Sequence, residues 1–551
     1  MEKWIQNYDP LGSILSGLPT YLLSALVAAI PLYLLFYMLA VKRTPGHKAA
    51  LVATVVSIIL AVTVWGMPVS MGISSTLMGA AFGLIPIIWI VITAVWVYNL
   101  TVESGEFEII KNSLAGLTND RRLQAIFIAF AFGSFIEGTA GFGTPVAITA
   151  AMLVGLGFNP LYAAGICLIA NTAPVAFGAI GVPIVTAATT SGLDVNHISA
   201  IVGRQLPFLS VIVPFWVCCT MCGFKKTIEV LPAVLVSGIC FAVSQFAFSN
   251  FHGPYLPDVM SAIITIIGLV ILLRFWKPKN TWHFPDEKVA TLEIKKYSAR
   301  EVLRAWSSYI ILAGMVFIWG LGWFKNLDFI KALTINIEWP GLHQMIVKTA
   351  PIVATDTSYS AVYSLNLVSV GGTAILLTGL IASLIMPNYG IGKAVKCFFR
   401  TIKQLRFPII TISTILGLAY IMNYSGMSST LGLAFTKTGF LFPLFAPILG
   451  WLGVFLTGSD TSSNALFSSL QRTTAEAVGI DPNLTVAANS SGGVTGKMIS
   501  PQSISVATAA TNMVGQEGNL FRFTLKHSIA MTLVVCIITL LQAYWLSWML
   551  P

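Results

Sequence analysis

Long apolar runs separated by short polar connectors dominate the chain. A helix rises 1.5 Å per residue and the hydrocarbon core of a bilayer is about 30 Å thick, so about 20 mainly apolar residues suffice to cross it. Runs at 18–41, 50–66, 75–98, 206–223, 228–248, 258–276, 306–324, 368–387, 407–423, 440–457 and 526–549 meet that condition. They predict an all-α polytopic membrane protein. The first run is too long for a signal-peptide core, and Glu2 and Asp9 beside Lys3 give it the wrong flank. It is expected to be an uncleaved segment, with the mature chain starting where this sequence does.

Composition supports the same class. Charged residues make up 9% of the 551 positions and apolar ones 56%, against about 25% charged in soluble proteins. A soluble enzyme and a disordered chain are thereby excluded. The net charge of +10 sits in short connectors, where it concerns membrane orientation and not nucleic acid. Lys42, Arg43 and Lys48 form one basic connector, and Lys393, Lys396, Arg400, Lys403 and Arg406 form another; both are expected on the cytoplasmic side. The stretch from Arg274 to Arg304 carries eight bases and four acids and is expected to be a cytoplasmic connector. It divides the chain into a membrane half at 1–273, a connector at 274–305 and a second half at 306–551. Seven cysteines, most of them inside apolar runs, give no disulfide framework. Cys218, Cys219 and Cys222 lack the second cluster a metal site would need, so no metal is assigned.

Four stretches at membrane depth break the pattern. EGTAGFGTP at Glu137–Pro145, NTAPVAFGAIGVP at Asn171–Pro183, TGSDTSSN at Thr457–Asn464 and NSSGGVTGKMISP at Asn489–Pro501 bring Gly, Pro, Ser, Thr, Asn and charge into apolar surroundings. They predict unwound or re-entrant segments joining half-helices. Freed backbone groups survive in a bilayer only where protein or a watery cavity covers them, and half-helix N-termini with free N–H groups suit an anion. Gly141, Gly143, Thr144, Asn171, Thr172, Ser459, Thr461, Ser462, Asn489, Ser490, Gly492 and Gly493 are the candidate substrate-binding residues of these breaks. Close helix packing through small residues is the alternative reading of each break.

Sliding the sequence by 318 positions places Ala170-Asn171 on Ala488-Asn489, Gly178 on Gly496, Pro183 on Pro501, Arg204 on Arg522 and Thr139 on Thr457. Two repeat-related halves around a central site are expected, as in secondary transporters. Glu137 and Asp460 fall five residues out of that register, and the pattern leaves open whether the repeats are inverted.

Ionisable groups sharpen the site. A charge at mid-membrane costs about 2.5 to 3.5 kcal/mol on insertion scales, so Glu137, Asp356, Asp460 and Lys497 must be paired, hydrated or neutral. Glu137 and Asp460 are the candidate proton-coupling acids; capping of a half-helix is the alternative for Asp460. Arg204 either grips a carboxylate through its guanidinium or anchors its helix at the interface. Lys497 follows GGVTG, but Ser491 and Met498 break the phosphate-loop spacing, so nucleotide binding is rejected. No Ser-His-Asp or HExxH pattern exists, and no catalytic residue is assigned.

The strings EGTAGFGTPVAITAAMLVGLGFNPLYAAG from Glu137, NTAPVAFGAIGVP from Asn171, GRQLPF from Gly203, FLTGSDTSSNALF from Phe455 and SGGVTGKMISPQSI from Ser491 resemble the bacterial L-lactate permease family. The likeness extends over nearly the whole chain. It implies a fold of roughly 12 to 14 transmembrane helices and a symporter of the bacterial inner (cytoplasmic) membrane. It further implies L-lactate as substrate, often with D-lactate and glycolate, the proton as coupling ion and no cofactor. A sodium-coupled carboxylate carrier and an anion channel are the rival expectations.

Overall fold

The computed structural model describes residues 3–12, 21–42, 44–141, 144–285, 295–320, 324, 327–353 and 355–551. Among these, nine helices are long and apolar enough to cross a bilayer, or eleven when two bent pairs each count as one span. Two shorter apolar helices, Pro145–Gly155 and Gly371–Ile385, stand beside these spans, whose number is below the expected 12 to 14. The chain is a multi-pass α-helical membrane protein with broken helices. The middle of the 274–305 connector lies outside the described residues, as do the first residues of the run at 18–41.

Sidedness follows from the ends of the elements. Arg122 is wholly buried and binds both oxygens of Asp120, the Glu229 carboxylate at 2.9 Å and the carbonyls of Lys226 and Asn280. It thus ties together the start of the first break region, the end of helix Val195–Ile228 and the start of the basic connector. The basic connectors lie on this face, which is the one expected to be cytoplasmic and is named so below. The opposite face gathers Phe440 stacked on Tyr544 at 4.2 Å, and Arg472 donating to the Ser191 carbonyl at 2.8 Å.

Against these two faces the breaks form oppositely directed pairs. The chain leaves the cytoplasmic face at Arg121, runs through the π-helical segment Ala125–Phe132 and helix Gly133–Thr139, turns, and returns through helix Thr144–Gly155. Phe158 then lies under the Arg121 guanidinium, 5.7 Å from ring centre to carbon, so both ends of this hairpin sit on one face. A second hairpin, Phe442–Thr457 and Asp460–Val478, opens on the other face, near Phe440 and Arg472. Following each hairpin is a broken span. Pro160–Ala170 continues as Gly178–Ser191 from the cytoplasmic face outward, with a bend of 65°. Pro482–Gly496 continues as Pro501–Ala510 in the reverse direction. The two repeats are therefore inverted, the arrangement in which half-helix ends meet near mid-membrane.

The structure also corrects the register. Asn159 caps the first broken span and Asp481 the second, each followed by proline, and a 3₁₀ turn begins sixteen residues later in both cases, at Val175 and Lys497. The offset up to that point is 322. It becomes 318 at Pro183 and Pro501 because five residues, Gly178–Val182, separate turn from proline in the first half, where Ser500 alone does so in the second. Ala179, Ile180 and Gly181 take left-handed angles there, with φ of 44°, 57° and 75°. Such angles are costly for alanine and more so for a β-branched residue, and persist only where the surroundings impose them.

Three expectations change. The run at 75–98 is interrupted, since Ile85 is extended and Pro86 cannot supply an N–H to continue the helix. Short strands occur beyond the spans: Trp4–Ile5 pairs with Ile346–Lys348, which pairs with Thr357–Ser358, and Ile335–Glu338 pairs with Val362–Leu365. Asp356 is exposed beside one of these strands and so needs no partner at membrane depth. On the cytoplasmic side, helix Gly390–Gln404 exposes Ile391, Val395 and Phe399 along with Lys393, Lys396 and Arg400. That mixed surface suits the headgroup region.

Candidate functional site

Both hairpin tips and both span breaks converge on one small cavity of about 50 Å³. Its lining includes Glu137 and Gly141 of the first hairpin, Gly178 and Ala179 of the first broken span, and Ser459, Asp460 and Thr461 of the second hairpin. Lys497 and Gln502 of the second broken span complete it. A space of that size holds one or two waters, and exposed Gln502 stands at its edge.

Glu137 and Lys497 form an ion pair at 2.7 Å, with Glu137 only 3% exposed and Lys497 8%. The remaining Glu137 oxygen accepts from Asn171 Nδ2 at 3.1 Å. Gly178 is required beside this pair, because a Cβ there would stand 2.7 Å from Glu137 Oε1. The pair links the hairpin of the first half to the broken span of the second.

A reciprocal link runs the other way. Asn464, on the second hairpin, donates to the Pro183 carbonyl of the first broken span at 3.1 Å and to Asp460 Oδ2 at 3.3 Å. Ser490 Oγ donates to the same Asp460 oxygen at 2.5 Å, whereas Oδ1 has no hydrogen-bond partner among the described residues. Asp460 is the first residue of its helix, and the cap is Ser459, whose hydroxyl accepts from the Ser462 N–H at 3.2 Å. Asp460 therefore does not act as the cap. Asn489 continues the network, donating to Asn464 at 2.9 Å and accepting from Gln471 at 3.1 Å.

Most of the residues singled out from sequence are brought together, in different roles. Glu137, Gly141, Ser459, Asp460 and Thr461 line the cavity. Asn171, Ser462 and Ser490 bond residues that do, Asn489 bonds Asn464 one step further out, and Thr172 is buried nearby in sequence with no partner for its hydroxyl among the described residues. Gly492 and Gly493 are contact glycines: a Cβ would strike the Pro447 carbonyl at the first and the Asp460 carboxylate at the second. Gly143 lies outside the described residues, as does the side chain of Thr144.

Arg204 is a correction. Its guanidinium donates to Asn250 Oδ1 and to the Met549 carbonyl, both at 2.7 Å, beside Phe208, Phe246 and Trp548 on the outer part of the bundle. It anchors a helix end and does not line the cavity. Arg522, its counterpart in the 318 register, is exposed.

Seven lining residues, Val175, Gly178, Ala179, Pro183, Gly458, Lys497 and Gln502, were missed as binding candidates, and two of them have polar side chains. Lys497 carried a signal, an unexplained cation among apolar neighbours, whose partner lies 360 positions away. Gln502 carried none.

The chain matches the family model described as L-lactate permease over residues 24–546. It is 50% identical to the glycolate permease GlcA of Escherichia coli K12 over 566 aligned residues, covering 100% of both chains. It is 48% identical to the L-lactate permease of Bacillus subtilis 168, again over 100% of both. Among solved structures, the Neisseria gonorrhoeae efflux pump MtrF aligns with a TM-score of 0.46 and 12% identity, covering 85% of this chain and 83% of that one. With a whole-length family match and relatives near half identity, the chain belongs to the L-lactate permease family.

Proposed function

We propose that this protein takes up L-lactate, with D-lactate and glycolate as further substrates, by proton symport across the bacterial cytoplasmic membrane. The observation that carries this reading is the buried Glu137–Lys497 pair on the cavity wall. Lys497 is the one cation among the cavity's lining residues, and a carboxylate substrate competes with Glu137 for it. When the substrate wins, Glu137 is left buried without a counter-charge and takes up a proton. One proton thus accompanies one carboxylate, and the loaded site carries no more net charge than the empty one. That balance matters because an unpaired ion in the low-dielectric interior is expensive.

Asp460, held by Ser490 and Asn464 on one oxygen, offers its free oxygen to the 2-hydroxyl shared by lactate and glycolate. Opening toward either face requires the hairpin on that face to move away from the opposing broken span. The coupling ion is the proton, and the substrate is carried unchanged.

Reconstitution tests this directly. In proteoliposomes without sodium, an inward proton gradient drives accumulation of labelled L-lactate, and preloaded unlabelled lactate gives counterflow. Accumulation that follows sodium alone replaces the proton with sodium, and flux without counterflow or accumulation makes the protein a channel. Arg204→Lys leaves the apparent affinity within about two-fold of the parent, as for substitutions outside a binding site. A larger loss in the same uptake assay returns Arg204 to the substrate.

A further inference from the structure

Beside the Glu137–Lys497 pair lies a third acid that the proposed cycle has not used. Asp258 opens the first turn of helix Pro257–Phe275, is 1% exposed, and neither of its carboxyl oxygens has a hydrogen-bond partner among the described residues. Its Cβ would stand 2.8 Å from a Cβ placed on Gly138, the residue after Glu137. Gly138 adjoins Glu137, which is paired with Lys497. The neighbouring elements Ala125–Phe132, Gly178–Ser191 and Leu231–Phe251 contribute no further acid or base. A buried carboxylate with no donor and no cation of its own is strongly disfavoured.

A file of hydroxyls leads away from it. Ser261 and Thr265 follow Asp258 at three and seven residues, hence on the same helix face. Both are fully buried and unpartnered, although most Ser and Thr of the spans bond a carbonyl one turn back. The facing helix, Gly133–Thr139, runs the opposite way, so Gly138 beside Asp258 puts Ser134 abreast of Ser261 and Thr265. Ser134 is likewise buried and unpartnered. Four buried polar side chains without partners among the described residues, on two packed helices, call for bridging waters. The helix continues from Thr265 to Arg274 and the basic connector, so the file points to the cytoplasm.

We propose that Asp258 is a proton-binding site and, with Ser134, Ser261 and Thr265, the route by which the coupled proton leaves to the cytoplasm. This rests on the proton-symport reading above. After the substrate departs, Lys497 turns back to Glu137. The Glu137 O–H bond breaks, its proton passes by water to Asp258, and the proton already on Asp258 moves to water along the hydroxyls. Glu137 is again charged against Lys497, and Asp258 is again neutral.

Asp258→Asn keeps the shape and removes the exchangeable proton. In proteoliposomes holding a trapped pH dye, the variant is expected to retain lactate counterflow within about two-fold of wild type. It loses lactate-driven acidification of the lumen and gradient-driven accumulation at least ten-fold. Thr265→Val leaves the acid in place and slows acidification several-fold at unchanged apparent affinity. Full accumulation in Asp258→Asn, or parental acidification rates in Thr265→Val, overturns the proposal. If wild type itself shows no lactate-driven acidification, the symport reading has failed instead, and the two failures are distinguishable.

Discussion

Lys497→Gln abolishes both net uptake and exchange of lactate. Removing the cation does two things, because Lys497 has two partners at different stages of the cycle. In the empty protein it neutralises Glu137 at 2.7 Å in a site where both are almost wholly buried. Stripping one partner from such a pair costs about 3 to 5 kcal/mol, since the other is left without a counter-charge. In the loaded protein of the proposed cycle it is the contact for the substrate carboxylate, and losing a desolvated charge-assisted bond of this kind costs about 2 to 5 kcal/mol of affinity, roughly 30- to 4,000-fold. The double variant Glu137→Gln with Lys497→Gln separates the effects. A neutral pair restores thermal stability to near that of the parent, while binding stays lost. Melting curves in detergent and labelled-lactate binding on the single and double variants check both halves. Parental affinity in Lys497→Gln would remove Lys497 from the substrate site.

How far such roles are visible in a sequence depends on contrast. The four breaks stood out because Gly, Pro, Asn, Ser and charge are conspicuous against apolar neighbours, and in the structure these stretches surround the cavity. The break at Ile85 did not, because Pro86 is the one unusual residue in an otherwise uniform run. Asp258 escaped notice for a related reason. An acid in the first turn of a helix is ordinary chemistry at a membrane surface, and depth is a property of the packed bundle. Here the Pro254 carbonyl closes against Gly181, which draws the preceding turn inward and takes the helix start to the level of the broken spans.

Inversion of the repeats was likewise invisible, because a hairpin that returns to its own face and a span that crosses have the same hydropathy. Arg121 over Phe158 at one end and Phe440 on Tyr544 at the other decide it. The four extra residues before Pro183 hid part of the correspondence. With the 322 offset set by the two caps, Glu137 and Asp460 fall one position apart. Each stands at a hairpin tip and is held by its own half's broken span, Glu137 by Asn171 and Asp460 by Ser490. One difference breaks the symmetry: Lys497 opens the turn in the second half, where the first half has Val175. A single cation between two acids favours a single carboxylate as guest.

Glu137→Gln uncouples the proton from the substrate while preserving exchange. The loaded wild-type site, in the proposed cycle, contains Lys497 as a cation, the substrate as an anion and Glu137 protonated. With glutamine the loaded site has the same charges, so its reorientation is unimpeded and counterflow of preloaded lactate continues within about two-fold of wild type. The empty site differs. Lys497 has lost its partner, and carrying an unpaired charge through the membrane interior costs about 2.5 to 3.5 kcal/mol. The empty return then slows roughly 70- to 400-fold, and net accumulation fails because each uptake cycle must pass through that step. Apparent affinity rises, since the substrate no longer displaces a resident carboxylate from Lys497. Tighter binding separates this variant from Asp258→Asn, whose affinity stays at the parental value because Lys497 keeps Glu137. Equilibrium binding, counterflow and gradient-driven uptake on the same vesicle preparation give the three readings. Proton-driven accumulation at the parental level in Glu137→Gln would place the coupling on another acid, with Asp460 the next to test.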